Sequence, residues 1–144
     1  ELKVHPVAVR RRDQRTEVLV GLEGGGPLEQ WGLDHHDPSA PRFDDELHCA
    51  VPCTAACAFG DDEWLLGDEL GAVSRWPFGS PGTLPCSIGR GSAVTALACQ
   101  PSGPLAGIWI GYDDGVVGRP LRPKQAGQCL TPVRTVRFHH QVRQ

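Results

Sequence analysis

Methionine is absent from the chain, tyrosine occurs once, and aromatic residues make up only 6% of the 144 positions. Without a methionine, residue 1 is not a natural start. The expectation is therefore a fragment, a processed product or the ordered part of something longer. No apolar run approaches the roughly 20 residues that a membrane helix needs, and no secretory leader is visible at the start. The formal charge of -3 is too small to imply nucleic acid or an acidic membrane as a partner. Several chemistries lack their motifs. There is no CxxC pair for a metal knuckle. "GSPG", "GSA" and "PSG" lack the GxSxG geometry of a nucleophile elbow. "GLEGGG" lacks the Lys-Ser/Thr that completes a phosphate-binding loop.

What the chain has in quantity is turn residues, with Gly 18 and Pro 13. With no collagen-like period, such a composition implies many turns and many short strands. The turns recur. "WLLGDELGAVSRW" (64–76) has a counterpart upstream in "VLVGLEGGGPLEQW", ending at Trp31, and downstream in "GIWIGYDDGVVGRPL". Gly21, Gly67 and Gly111 align, 46 and 44 residues apart, as do Trp31, Trp76 and Pro120, 45 and 44 apart. The preceding strands align as well, "VTALACQPSG" with "CTAACAFGDD", and "VAVRRRDQR" holds that place in the first copy.

Each unit has its own local logic. A short apolar strand ends in a polar turn, and a second strand runs into a glycine. An acidic turn with a further glycine (Gly71, Gly115, or Gly24 to Gly26) reverses the chain, because glycine tolerates the positive φ of tight hairpins. A third strand ends at the tryptophan position. Weaker fourth strands follow at "ELHCAV", "GTLPCSI" and "GQCLTPV". Four antiparallel strands per period of about 45 residues is the pattern of a β-propeller blade. The expected fold is all-β: three four-stranded blades over about 1–50, 51–92 and 93–132, with 133–144 supplying the first strand of a fourth.

These units resemble degenerate Trp-Asp repeats of the WD-repeat propeller family. The third copy, "VTALACQPSGPLAGIWIGYDDGVVGRPL", carries the resemblance best. The Trp-Asp dipeptides are replaced by Trp31-Gly32, Trp76-Pro77 and Pro120-Leu121, and the opening Gly-His pair is absent. The family's buried Asp-His-Ser-Trp network therefore cannot form, which implies greater reliance on packing. "QWGLD" also fits the regulator-of-chromosome-condensation type of propeller locally. The hairpin between second and third strands, present in all three copies, favours the WD likeness.

The candidate functional residues follow from that arrangement. The turns between second and third strands project on one rim, carrying Glu23, Asp68, Glu69, Tyr112, Asp113 and Asp114. The expectation is an acidic rim with Tyr112 as its anchor. "RRRDQR" (10–15) is read as a solvated basic turn on the opposite rim. Six cysteines, with "CAVPCTAAC" spaced by four, are read as small core fillers, because that spacing places side chains on one face of a strand. His35 and His36 are read as surface residues of a loop rich in Asp and Pro. No metal, cofactor or catalytic set is expected. The composite expectation is a non-catalytic interaction or scaffold propeller in a reducing, cytoplasmic-type compartment. Its partners would be proteins with basic segments, with the remaining blades supplied by the same chain or another subunit, and with no membrane or nucleic acid role. The competing class is a propeller enzyme or sensor whose channel-lining site is completed by missing blades.

Overall fold

The computed structural model describes residues 4–22, 26–100, 107–120 and 133–136. The described chain is all-β, with twelve strands in three four-stranded antiparallel sheets. The first sheet contains β1 (Val4–Arg12), β2 (Arg15–Leu22), β3 (Leu28–Asp34) and β4 (Asp37–Leu47). The second contains β5 (Cys53–Phe59), β6 (Glu63–Asp68), β7 (Val73–Pro77) and β8 (Leu84–Ser87). The third contains β9 (Val94–Gln100), β10 (Gly107–Tyr112), β11 (Val117–Pro120) and β12 (Val133–Val136). Each sheet is a simple meander, its strands paired in chain order. No helix among the described residues is long and apolar enough to cross a membrane.

The first strands of the sheets lie side by side, β1 against β5 and β5 against β9. The Thr54 hydroxyl on β5 donates to the Val94 carbonyl on β9, joining two sheets at this inner edge. The sheets thus stack as blades of a propeller fragment and do not close into a barrel. Each seam between blades has its own core. Leu19, Leu28 and Leu47 of the first blade meet Trp64, Leu66 and Trp76 of the second. Leu65 and Val73 on the second blade's other face meet Val94, Ile110 and Tyr112 of the third.

The glycine on the second blade's second strand reflects this stacking. A Cβ on Gly67 would lie 2.5 Å from Val94 Cγ1, the first residue of the next inner strand. At Gly111 the nearest atom would be Ala96 Cβ, at 3.4 Å. Gly67 has room for hydrogen only, because the next blade seats against it, whereas Ala96 belongs to the same sheet as Gly111.

The structure departs from the sequence reading at three places. Val133–Val136 pairs with β11, with Val117 opposite Val136 and Pro120 opposite Val133, so it is the fourth strand of the third sheet and not the first of another. The stretch expected there, "GQCLTPV", lies almost wholly outside the described residues. β4 begins at Asp37, immediately after a tight turn at His35-His36, where a polar loop was expected. Finally, β1 runs through Arg12, leaving only Asp13 and Gln14 for the turn. Strand alternation therefore carries Arg10 inward.

Candidate functional site

The hairpins between second and third strands have the same backbone in the second and third blades. Asp68 N donates to Ala72 O at 3.1 Å, as Tyr112 N does to Val116 O at 3.0 Å. Gly71 N donates to Asp68 O, as Gly115 N does to Tyr112 O, both at 3.1 Å. Gly71 and Gly115 have φ of 87° and 84°, the left-handed conformation that this turn requires. Both turns are tied to the loop between β8 and β9, through Gly91 N to Leu70 O and Asp113 N to Ala93 O, each 2.9 Å. The acidic residues of the two turns therefore share one rim.

On that rim most of the carboxylates are occupied locally. Asp68 Oδ1 accepts from the backbone N–H of Leu70 and of Ala72, at 2.9 and 3.0 Å. Asp114 Oδ1 accepts from Val116 N at 3.1 Å, and its Oδ2 is 3.0 Å from the Arg90 guanidinium. Asp113 accepts from the Ser92 hydroxyl. This is the turn-stabilising chemistry that places aspartate in hairpins. Glu69 is exposed. Four carboxylates on two adjacent turns thus stand against one guanidinium in the loop that bridges them, so these two turns and their bridging loop are acidic in sum.

Tyr112 does not project as an anchor. It is 3% exposed and belongs to the core between the second and third blades. The Arg90 guanidinium covers its ring at 4.6 Å, and burial raises the phenol above its ordinary value. Its hydroxyl has no hydrogen-bond partner among the described residues. The reason is positional: Tyr112 is the last residue of β10, and Ile110, two residues earlier on the same face, points into the seam. Glu23, the first blade's contribution to the rim, lies outside the described residues.

The opposite rim is of mixed charge. A groove of about 630 Å³ there is lined by Arg11, Arg12, Asp13 and Asp61. Arg12 lies 2.8 Å from Glu17 and 3.3 Å from Asp62, so the expected solvated basic turn is neutralised by its surroundings.

Arg10 belongs to a buried polar seam that the sequence reading missed. Its Nε donates to Glu17 at 2.9 Å and its Nη1 to the Glu63 carbonyl at 2.8 Å. Its guanidinium sits 4.5 Å from the centre of the Trp64 ring. Gln30 donates to Glu17 at 2.9 Å and accepts from Trp64 Nε1 at 2.8 Å. Arg15 pairs with Asp44, lying across Gly32 where a Cβ would collide with it. The second blade repeats the theme, with Arg75 bonding Glu63 at 2.7 and 2.8 Å from the corresponding strands. The expectation that these blades rely on packing is therefore corrected: charge-assisted bonds cross the first seam.

Cys49, Cys53, Cys57 and Cys99 are free thiols, all partly buried. Burial pushes Cys53 up to about 12 and Cys57 to about 11, so both are thiols at neutral pH. No group of three or more His, Cys, Asp or Glu among the described residues could hold a metal ion. His35 and His36 are exposed and engaged with Thr16 and Gln14, at 2.8 and 2.9 Å. The concave side where inner strands meet is lined by Val7, Thr54, Ala55, Thr95 and Leu97, with Cys53 beside them. No protein-family model matches the chain, and no curated protein matches it.

Proposed function

We propose that this chain is part of a propeller used for protein–protein recognition, a scaffold of the WD-repeat kind rather than a catalyst. The observation that supports this reading is the rim on which Asp68, Glu69, Asp113 and Asp114 gather, held by two hairpins with the same backbone hydrogen bonds, each bonded to the loop between β8 and β9. Side chains fixed on a stiff scaffold lose little entropy on binding. A basic segment is the complementary partner, and rim charges of this kind mainly steer association and fix register. Partly buried free thiols fit a reducing, cytoplasmic-type compartment.

The test is binding of a lysine- and arginine-rich peptide to the chain at low and at physiological salt. The reading expects measurable binding that weakens with added salt. Charge removal must spare the turns, so Glu69→Lys is combined with Asp68→Asn, Asp113→Asn and Asp114→Asn, since asparagine keeps the accepting oxygen. Loss of peptide binding with unchanged melting supports the rim. Unchanged binding overturns it. The competing channel-site reading is favoured only if a small molecule protects the inner-strand residues Thr54 and Thr95 from exchange while the rim variant still binds it.

A further inference from the structure

A cavity of about 300 Å³ opens between the first two blades, beside the turn that carries Asp68 and Glu69. The connection from β4 to β5 lines one side of it with Cys49 and Val51. That connection is tied to the turn, because Glu69 N donates to Pro52 O at 3.2 Å. Leu47 and Leu66, core residues of the first seam, supply much of its apolar surface. Ser74, paired with Leu66 on the neighbouring strand, lines it further along.

One carboxylate lines this cavity without a cation. Asp68 is half-buried, and its Oδ1 is committed to the turn, where it accepts from Leu70 N and Ala72 N. Among the described residues its Oδ2 accepts no hydrogen bond and no basic side chain pairs with it. His48, which also lines the cavity, lies 3.4 Å from Glu46 instead. The Asp68 charge reaches into the cavity: burial raises the Cys49 and Cys53 thiols there, and Asp68 raises both further. A half-buried carboxylate of this kind attracts a cation more strongly than a fully solvated one, because less water screens it.

We infer that this cavity receives a lysine side chain from a segment of a partner protein, its aliphatic stem along Leu47, Val51 and Leu66 and its ammonium on Asp68 Oδ2. The inference rests on the protein-recognition reading of the proposed function and adds which side chain is read. Lysine suits the site because its stem buries against apolar surface while its charged end meets a polar group. Arginine suits it less. A guanidinium pairs best with both oxygens of a carboxylate, and here one oxygen already holds the turn. A purely apolar side chain would press hydrocarbon against an unpaired carboxylate, which is costly. The volume of about 300 Å³ lies at the small end of ligand pockets and suits one long side chain.

The rim and the cavity divide the work. Glu69 stands exposed beside the cavity, and Asp113 and Asp114 follow on the next turn. Charges placed like these steer a basic segment towards the mouth. The cavity then decides which residue of that segment enters. The first contribution depends on the total charge of the segment, the second on a single side chain, so one set of peptides separates them.

The experiment measures binding of a peptide whose flanking arginines are kept while its central residue is lysine, arginine, acetyl-lysine or norleucine. The inference expects the lysine peptide to bind about fivefold or more tightly than the other three, as one charge-assisted bond allows. That preference must vanish in Asp68→Asn, which keeps the accepting oxygen of the turn, and in Ser74→Leu, which fills the cavity. The lysine peptide must also slow alkylation of Cys49. Should Ser74→Leu not fold, Gly82→Leu takes its place: Gly82 lines the same cavity, and a Cβ there meets nothing within 4 Å. Equal binding of all four peptides, a preference for arginine or norleucine, a lysine preference that survives either variant, or no binding at all would overturn the inference. The rim is judged by Glu69→Lys/Asp113→Asn/Asp114→Asn, which should weaken all four peptides alike. A rim variant without effect beside an intact lysine preference would count against the rim and leave the cavity standing.

Discussion

Trp64 Nε1 donates to Gln30 Oε1 across 2.8 Å, and this one bond ties the second blade to the buried carboxylate of the first. Gln30 passes the connection on, its amide donating to Glu17, which Arg10 also holds. All four side chains are at most 7% exposed. Removing any one leaves a buried polar group without its partner, which costs more than the bond itself is worth.

Gln30→Leu is accordingly expected to destabilise the chain by about 1–3 kcal/mol despite its similar size, because Trp64 N–H and Glu17 each lose a partner. A double-mutant cycle with Trp64→Phe in chemical denaturation checks this. The two changes should couple by at least about 0.5 kcal/mol. Strict additivity would remove the bond from the account.

The two equivalent tryptophans should behave differently. Trp76→Ala empties a filled site between blades and is expected to cost about 3–5 kcal/mol. Trp31→Ala should cost well under that, since Trp31 is only half-buried. Equal losses in the urea midpoint would contradict this difference in burial.

Gly67→Ala drives a methyl group to 2.5 Å from Val94 and is expected to cost about 1–3 kcal/mol. Gly111→Ala meets Ala96 Cβ at 3.4 Å and should stay below about 1.5 kcal/mol. Thermal melts of the pair test whether Gly67 is a seating point for the neighbouring blade, with Gly111, whose neighbour lies in its own sheet, as the comparison.

Tyr112→Phe keeps the ring beneath Arg90 and removes a buried hydroxyl with no partner among the described residues. The melting temperature should hold or rise, because an unsatisfied buried group is lost at no cost in packing. A large fall would assign the hydroxyl a bond.

Alkaline stability carries the signature of the buried thiols. Cys53 and Cys57 ionise near 12 and 11 in the folded chain against 9.0 when exposed. The folded state thus holds their protons more tightly, so this contribution is intact below pH 9 and is lost as pH rises towards 12. Denaturant midpoints from pH 8 to 11 should fall, and a Cys53→Ala/Cys57→Ala variant should show a shallower fall. Parallel slopes would contradict the burial of these thiols.

The period, the three sheets and the tight acidic hairpins were legible in the sequence, because glycine, aspartate and apolar strands recur at a spacing that only local geometry dictates. What was not legible depends on position in the array. Trp31 and Trp76 occupy the same strand position, yet among the described residues only Trp76 has a blade across from it. Tyr112 looks like a rim residue until the Arg90 loop covers it. Arg10 stands in a run that reads as solvated, and its partners Glu17, Gln30 and Trp64 come from three other strands. No spacing within one repeat announces a contact between repeats.

The most direct test of the account is hydroxyl-radical footprinting of Trp31, Trp64 and Trp76. Trp64 and Trp76, packed between the first two blades, should be protected. Trp31, half-buried on the first blade, should be the more reactive. Equal reactivity of all three would contradict the claim that the blades stack with Trp64 and Trp76 in the seam between them.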